Sequence, residues 1–207
     1  FAEEDNFVAQ VGNNKYTTLA AAIAAVTDST PTTITLLKDC NTYNSANTVT
    51  DLQKSLLRSG VIISAGQNIT LDLKGHKITG GTTDDDKSEQ SRDTTNNGIT
   101  TNYANQFNAV IDNSGDLNII DSIGGGIITS YEGIRYYKTS NNYAPMQTTI
   151  WNHSGATMVL SGGTYQSDRA GYVLRNNGTM TINSGVTVKY LGSHEIHSST
   201  ILNGYND

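Results

Sequence analysis

Cysteine and proline are nearly missing from this chain. Cys40 is the only cysteine among 207 residues and there are 2 prolines, so neither an internal disulfide framework nor a zinc centre built from several thiolates is available. Charge is scarce too. Asp, Glu, Lys and Arg make up 15% of the chain, against roughly 25% in typical domains. What charge there is leans acidic, with 13 Lys and Arg against 19 Asp and Glu and a formal net charge of -6. Binding to a nucleic-acid backbone or an anionic membrane needs a basic stripe, and none is visible. No apolar run approaches the ~20 residues of a membrane span, so no insertion into a bilayer is expected. The modest net charge also separates the chain from disordered sequences, which combine low hydropathy with strong self-repulsion.

The space left by charge is filled with Thr, Asn, Ser and 20 Gly, interleaved with regularly placed Val, Ile and Leu. That combination predicts strands joined by many tight polar turns. The opening residues, Phe1-Ala2-Glu3-Glu4-Asp5, have the character of a mature N-terminus, so an exported protein is expected. Leu19, Ile23 and Val26 fall at i, i+4 and i+7 in an alanine-rich run, which predicts a helix over about 17–27 with Thr17 or Thr18 as N-cap. A strand follows over 32–38. Residues 40–60 are mixed, and Leu52, Leu56 and Leu57 predict a short helical turn. Residues 1–60 then form an N-terminal cap.

From residue 61 onward the signal is internal repetition. Four stretches share one pattern: 63–71 (ISAGQNITL), 111–119 (IDNSGDLNI), 150–160 (IWNHSGATMVL) and 174–182 (LRNNGTMTI). Each is an apolar residue, a polar turn with Gly66, Gly115, Gly155 or Gly178, and an alternating strand. A second turn follows at 74–76, 124–126, 161–163 and 183–185. Short third strands come next, at 77–79, 127–129, 164–165 and 186–188. Units this small cannot bury their own apolar faces and must stack. Matching Asn152 with Asn176 aligns the last complete copies, and Asn203 continues the match. Asn113, Asn152, Asn176 and Asn203 are then expected in one column, amide bonded to amide, at the strand spacing of ~4.8 Å. Ile111, Ile150, Leu174 and Ile201 form the buried column beside it.

The phrases 16–26 (YTTLAAAIAAV), 34–39 (ITLLKD) and 69–78 (ITLDLKGHKI) resemble the opening of right-handed, pectate-lyase-like parallel β-helix repeats of bacterial cell-surface and secreted adhesin-like proteins. The resemblance implies an all-β solenoid of coils over 61–207 behind an N-terminal capping helix, and a bacterial cell-surface or secreted location. It carries no catalytic signature. Insertions at about 80–108 and 131–147 interrupt the coils, and loops of that length in a compact array are functional or solvated.

Several constellations have two readings each. Asp84, Asp85, Asp86 and Glu89, with Asp93, could collect calcium, although they lack the EF-hand spacing, or could form a solvated loop. Tyr131, Arg135, Tyr136, Tyr137 and Tyr143, with Trp151 outward on the following strand, suit recognition of a carbohydrate or a host or cell-surface protein, or pack the loop onto the coils. Asp112 and Arg175 occupy equivalent outward positions with Trp151 between them. That puts them ~10 Å apart, too far for direct pairing. His194, Glu195 and His197 lack zinc-protease spacing. Asn68, Asn152 and Asn177 head sequons expected by chance in such a composition. Thr70, Thr157 and Thr181 fit a rank suited to an ice-binding face, which Asn118 breaks.

No residue set supplies the paired carboxylates of a glycoside hydrolase or the clustered calcium ligands and base of a lyase. The sequence therefore predicts a non-catalytic adhesive or structural module with no cofactor, unless calcium binds the acidic run. Polysaccharide lyase or hydrolase activity on the same scaffold, and an ice-binding solenoid, are the alternatives. The segment 200–207 starts a new coil that needs covering, so continuation or end-to-end self-association is expected.

Overall fold

The computed structural model describes residues 6–42, 60–80, 109–130, 147–167, 171–191 and 200–204, together with the backbone of 48–50 and 56–58. The chain opens on a hairpin, β1 (Ala9–Val11) and β2 (Asn14–Tyr16), followed by α1 (Leu19–Ala24), β3 (Thr32–Leu36) and β4 (Cys40–Asn41). β5 (Thr48–Thr50) and β6 (Leu56–Arg58) pair antiparallel with each other. Four units of three strands follow: β7 (Val61–Ile63), β8 (Asn68–Asp72), β9 (Lys77–Gly80); β10 (Ala109–Asn113), β11 (Asp116–Ile120), β12 (Ile127–Ser130); β13 (Gln147–Asn152), β14 (Thr157–Leu160), β15 (Thr164–Ser167); and β16 (Gly171–Asn176), β17 (Thr179–Ile182), β18 (Thr187–Tyr190). β19 (Ile201–Asn203) begins a fifth.

α1 forms where alanine lowers the helical cost and Thr18, extended at φ -140 and ψ 152, accepts a bond from the Ala21 amide at 3.0 Å. The helix is shorter than the predicted 17–27: Ala25 is its C-cap, and the Val26 amide bonds Ile23 O at 3.0 Å in a tighter closing turn. The Gln67 side-chain amide donates to Ile23 O at 2.9 Å and Val26 O at 2.6 Å, satisfying groups a helix end otherwise leaves to water. Leu19, Ile23 and Val26 are buried as the periodicity predicts. Asp28 then takes the Thr30 amide at 2.9 Å in a local turn, and that backbone bond holds its carboxyl below the ordinary carboxylate range.

The fold is mostly β with parallel sheets. First strands of successive units pair in the order β7-β10-β13-β16-β19, second strands as β8-β11-β14-β17 and third strands as β9-β12-β15-β18. β3 and β4 join ahead of β8 and β9, also in parallel. Strands of 32–41 therefore already belong to the same sheets as the units after residue 61. The predicted strand over 32–38 ends at Leu36, and β1 pairs antiparallel with it.

Alternation along each strand puts one face inward, and the parallel register turns that face into columns. Ile34, Leu71, Ile119, Leu160 and Ile182 align in one. Val61, Ile111, Ile150, Leu174 and Ile201 align in another. Full burial of such a side chain contributes roughly 1.5–3 kcal/mol. The Val173 and Leu174 amides both donate to Thr200 O, at 3.1 Å each. Val173 is buried beside Leu174, as Val110 and Thr149 are at the same position of β10 and β13.

Three expectations need correction. Leu56 and Leu57 lie in β6, paired with β5, and not in a helical turn. Ile63 faces Asn113, and Val61 faces Ile111, because the first unit follows the longer turn pattern of 150–160 and not the shorter one used to align it. Thr157 ranks with Asn68, Asp116 and Thr179, whereas the rank of Thr70 runs through Asn118 and Val159 to Thr181. Val159 interrupts that row as well as Asn118.

Candidate functional site

The connections between first and second strands alternate along the stack. Wide turns at 64–67 and 153–156 carry Gly66 and Gly155 at φ +86 and +81. Tight turns at 114–115 and 177–178 nest on them. A Cβ on Gly115 would lie 2.5 Å from Ser64 O and 2.7 Å from Gln67 O, and one on Gly178 would lie 2.4 Å from both Ala156 O and His153 O. Side chains bigger than hydrogen do not fit there, which is the physical reason for glycine.

Inside these turns stands the asparagine column. Asn113 Nδ2 donates to Asn152 Oδ1 at 2.8 Å, Asn152 Nδ2 to Asn176 Oδ1 at 2.8 Å, and Asn176 Nδ2 to Asn203 Oδ1 at 2.7 Å. The second hydrogen of the donor amide serves the next turn, with Asn113 bonded to Thr157 O at 3.0 Å and Asn152 to Thr179 O at 3.0 Å. Asn113 and Asn152 are fully buried. Buried amides without partners would cost about 1–3 kcal/mol each, so the column sets the register as well as filling the corner.

On the outer face of the same sheet, register places Asp112 beside Trp151 and Trp151 beside Arg175, in the predicted order. The structure adds His153, which the sequence reading passed over. Its Nε2 meets Asp112 Oδ1 in a close pair, and its ring stacks on Trp151 with centroids 4.2 Å apart and planes 24° apart. The Arg175 guanidinium lies 3.9 Å from the Trp151 ring centroid, a cation–π contact. Trp151 Nε1 donates to Asn177 Oδ1 at 3.1 Å. His153 lies just past the end of β13, in the wide turn, so strand alternation did not single it out. A buried carboxylate holding a half-exposed histidine has the form of an acid–base pair. The indole beside it is engaged by His153, Arg175 and Asn177.

Second connections use carboxylates. Asp72 Oδ1 accepts from the amides of Lys74 and Ser122, both at 3.0 Å. Asp121 accepts from Gly75 and Gly126, both at 2.7 Å. Each aspartate thus ties one unit's turn to the next. The third-strand column runs Cys40, Ile78, Ile128, Tyr165 and Val188. Burial, assisted by Asp39, pushes the Cys40 thiol up to about 12. Burial likewise raises the Tyr165 phenol, whose hydroxyl donates to Gly162 O at 2.9 Å.

Asp84, Asp85, Asp86 and Glu89 lie outside the described residues, as do Tyr131, Arg135, Tyr136, Tyr137 and Tyr143, and His194 and His197. Of the predicted recognition set only Trp151 is described. Among the described residues no group of three or more His, Cys, Asp or Glu side chains could hold a metal ion, and no helix is long and apolar enough to cross a membrane. No family model, curated protein or solved structure matches the chain.

Proposed function

We propose that the chain is a right-handed parallel β-helix of an exported, cell-surface or extracellular bacterial protein, acting as a non-catalytic adhesive or structural module. The observation that carries the reading is the asparagine column: three complete units and the start of a fifth, bonded amide to amide in register, make a stiff repeat whose interior is given over to stacking. The outward groups of the Trp151 cluster favour the same reading, because the indole N–H and the histidine ring take part in contacts within the stack. Recognition then belongs to the outer surface of the rod, with a carbohydrate or a cell-surface protein as partner.

The Asp112–His153 pair favours one second reading, polysaccharide cleavage on the same scaffold with His153 as general base. Incubation with acidic and neutral polysaccharides, followed by reducing ends and unsaturated products, separates the two. No turnover is expected. Turnover lost in both Asp112→Asn and His153→Ala would replace the structural reading with the enzymatic one.

A further inference from the structure

We propose that Asn177 is a site of spontaneous covalent modification, at which the backbone nitrogen of Gly178 attacks the Asn177 side chain and converts its amide, through a cyclic imide, to a carboxylate. The inference needs only the parallel register of β10, β13 and β16 and does not rest on the role proposed for the chain.

The attack requires the nitrogen of the following residue to reach the asparagine Cγ. A side chain on that following residue obstructs it, and so does a hydrogen bond that its N–H must give up. The asparagine column is protected by such bonds at every rung. The amide after Asn113 donates to Ile63 O at 2.8 Å, the one after Asn152 to Asn113 O at 2.9 Å, the one after Asn176 to Asn152 O at 2.8 Å, and the one after Asn203 to Asn176 O at 2.9 Å. Asn177 stands one residue off the column, in the tight turn. The amide that follows it, that of Gly178, donates to no described residue, and glycine carries no Cβ to block the approach.

The acceptor is prepared as well. Asn177 Oδ1 takes the Trp151 indole N–H at 3.1 Å, a donor aimed at the oxygen on which negative charge develops during the attack. The Arg175 guanidinium lies 3.9 Å from the centroid of the same indole, so a positive charge stands behind that donor. The turn is half-buried, and water reaches it.

Hydroxide removes the Gly178 amide proton and the Gly178 N–Cγ bond forms. The Cγ–Nδ2 bond then breaks, and Nδ2 takes a proton from water and leaves as ammonia. A second water opens the imide at either carbonyl. Opening at Cγ leaves aspartate, and opening at the former peptide carbonyl leaves isoaspartate, with one more carbon in the main chain. The seat of this turn has no room for an addition, since a Cβ on Gly178 would lie 2.4 Å from Ala156 O and from His153 O. Aspartate is therefore the product that the folded stack holds.

The test is incubation of the intact chain at mildly alkaline pH, followed by peptide mapping in a mass spectrometer, with an isoaspartyl methyltransferase to tell the two products apart. Asn203-Gly204 is the other Asn-Gly pair among the described residues and serves as the internal comparison. In the native chain Asn177 should convert faster than Asn203, mainly to aspartate, and in urea the two should convert alike. Trp151→Phe keeps an aromatic ring and removes the N–H, and should slow Asn177 by roughly tenfold in the native chain and not in urea. An Asn177 that converts no faster than Asn203 in the native chain, a difference between them that persists in urea, or a Trp151→Phe chain that converts as fast as wild type overturns the proposal.

Discussion

The two connections within each unit solve the same problem in opposite ways. Both must turn the chain and satisfy the amides and carbonyls that the turn frees. The first connection uses one side chain over and over, with Asn113, Asn152, Asn176 and Asn203 on successive rungs and glycine in the tight turns. The second uses Asp72 and Asp121 once each, then Tyr165 against Gly162 O. Repetition suits the buried corner, where an amide can both give and take and so continue indefinitely. A carboxylate only accepts, so it can close a turn but cannot pass the pattern on.

The hardest blow to this contrast is Gly178→Ala. Its Cβ would press on two backbone carbonyls at 2.4 Å, and overpacking of that kind costs ~3 kcal/mol. Gly185→Ala, in the second connection of the same unit, meets nothing within 4 Å and strains only its φ of +89, at about 1 kcal/mol. Urea unfolding of both variants checks the difference, and equal losses would erase it. Asn152→Ala comes next, at about 2–3 kcal/mol, since buried groups on both neighbouring rungs lose a partner. Asn203→Ala, at an exposed position, takes the acceptor from only one buried amide, Asn176 Nδ2, and should cost about 1 kcal/mol.

Asp121→Ala frees the Gly75 and Gly126 amides at a half-buried position, and about 1–2 kcal/mol is expected. A loss as large as that of Asn152→Ala would mean that both connections carry equal weight. The remaining effect appears only at high pH and concerns Cys40. Its folded pKa is raised from 9.0 to about 12, so the folded state holds the proton more tightly. The associated stability is complete below pH 9 and is lost as pH rises towards 12. Wild type should therefore lose more stability than Cys40→Ala between about pH 8 and about pH 11, and parallel pH profiles would contradict it.

What the sequence made legible follows the same division. The asparagine column and the buried Ile–Leu column beside it were readable because they recur at fixed positions around a glycine. The clasp between Asp72, Asp121 and their neighbours was not, because each aspartate occurs once and its partners are backbone amides a unit away. Ile63 was misaligned because two turn lengths share one pattern, and Gly66 and Gly115 look alike in sequence while one has positive φ and the other sits against carbonyls. The β1–β2 hairpin escaped because its three-residue strands are too short for periodicity to register. At the outer face, the order of Asp112, Trp151 and Arg175 followed from alternation. His153 did not, since it belongs to a turn whose width only the fold reveals.

The alternation of wide and tight turns gives the stack a grammar of couplets. A tight turn finds its seat between the carbonyls of the wide one before it, so the module that can be duplicated or excised without disturbing the seating is a pair of units. Lengthening this protein by one unit would set like upon like at the splice. Adding two would leave every seat filled, which makes the couplet the natural brick for building longer or shorter versions of the paired sheets.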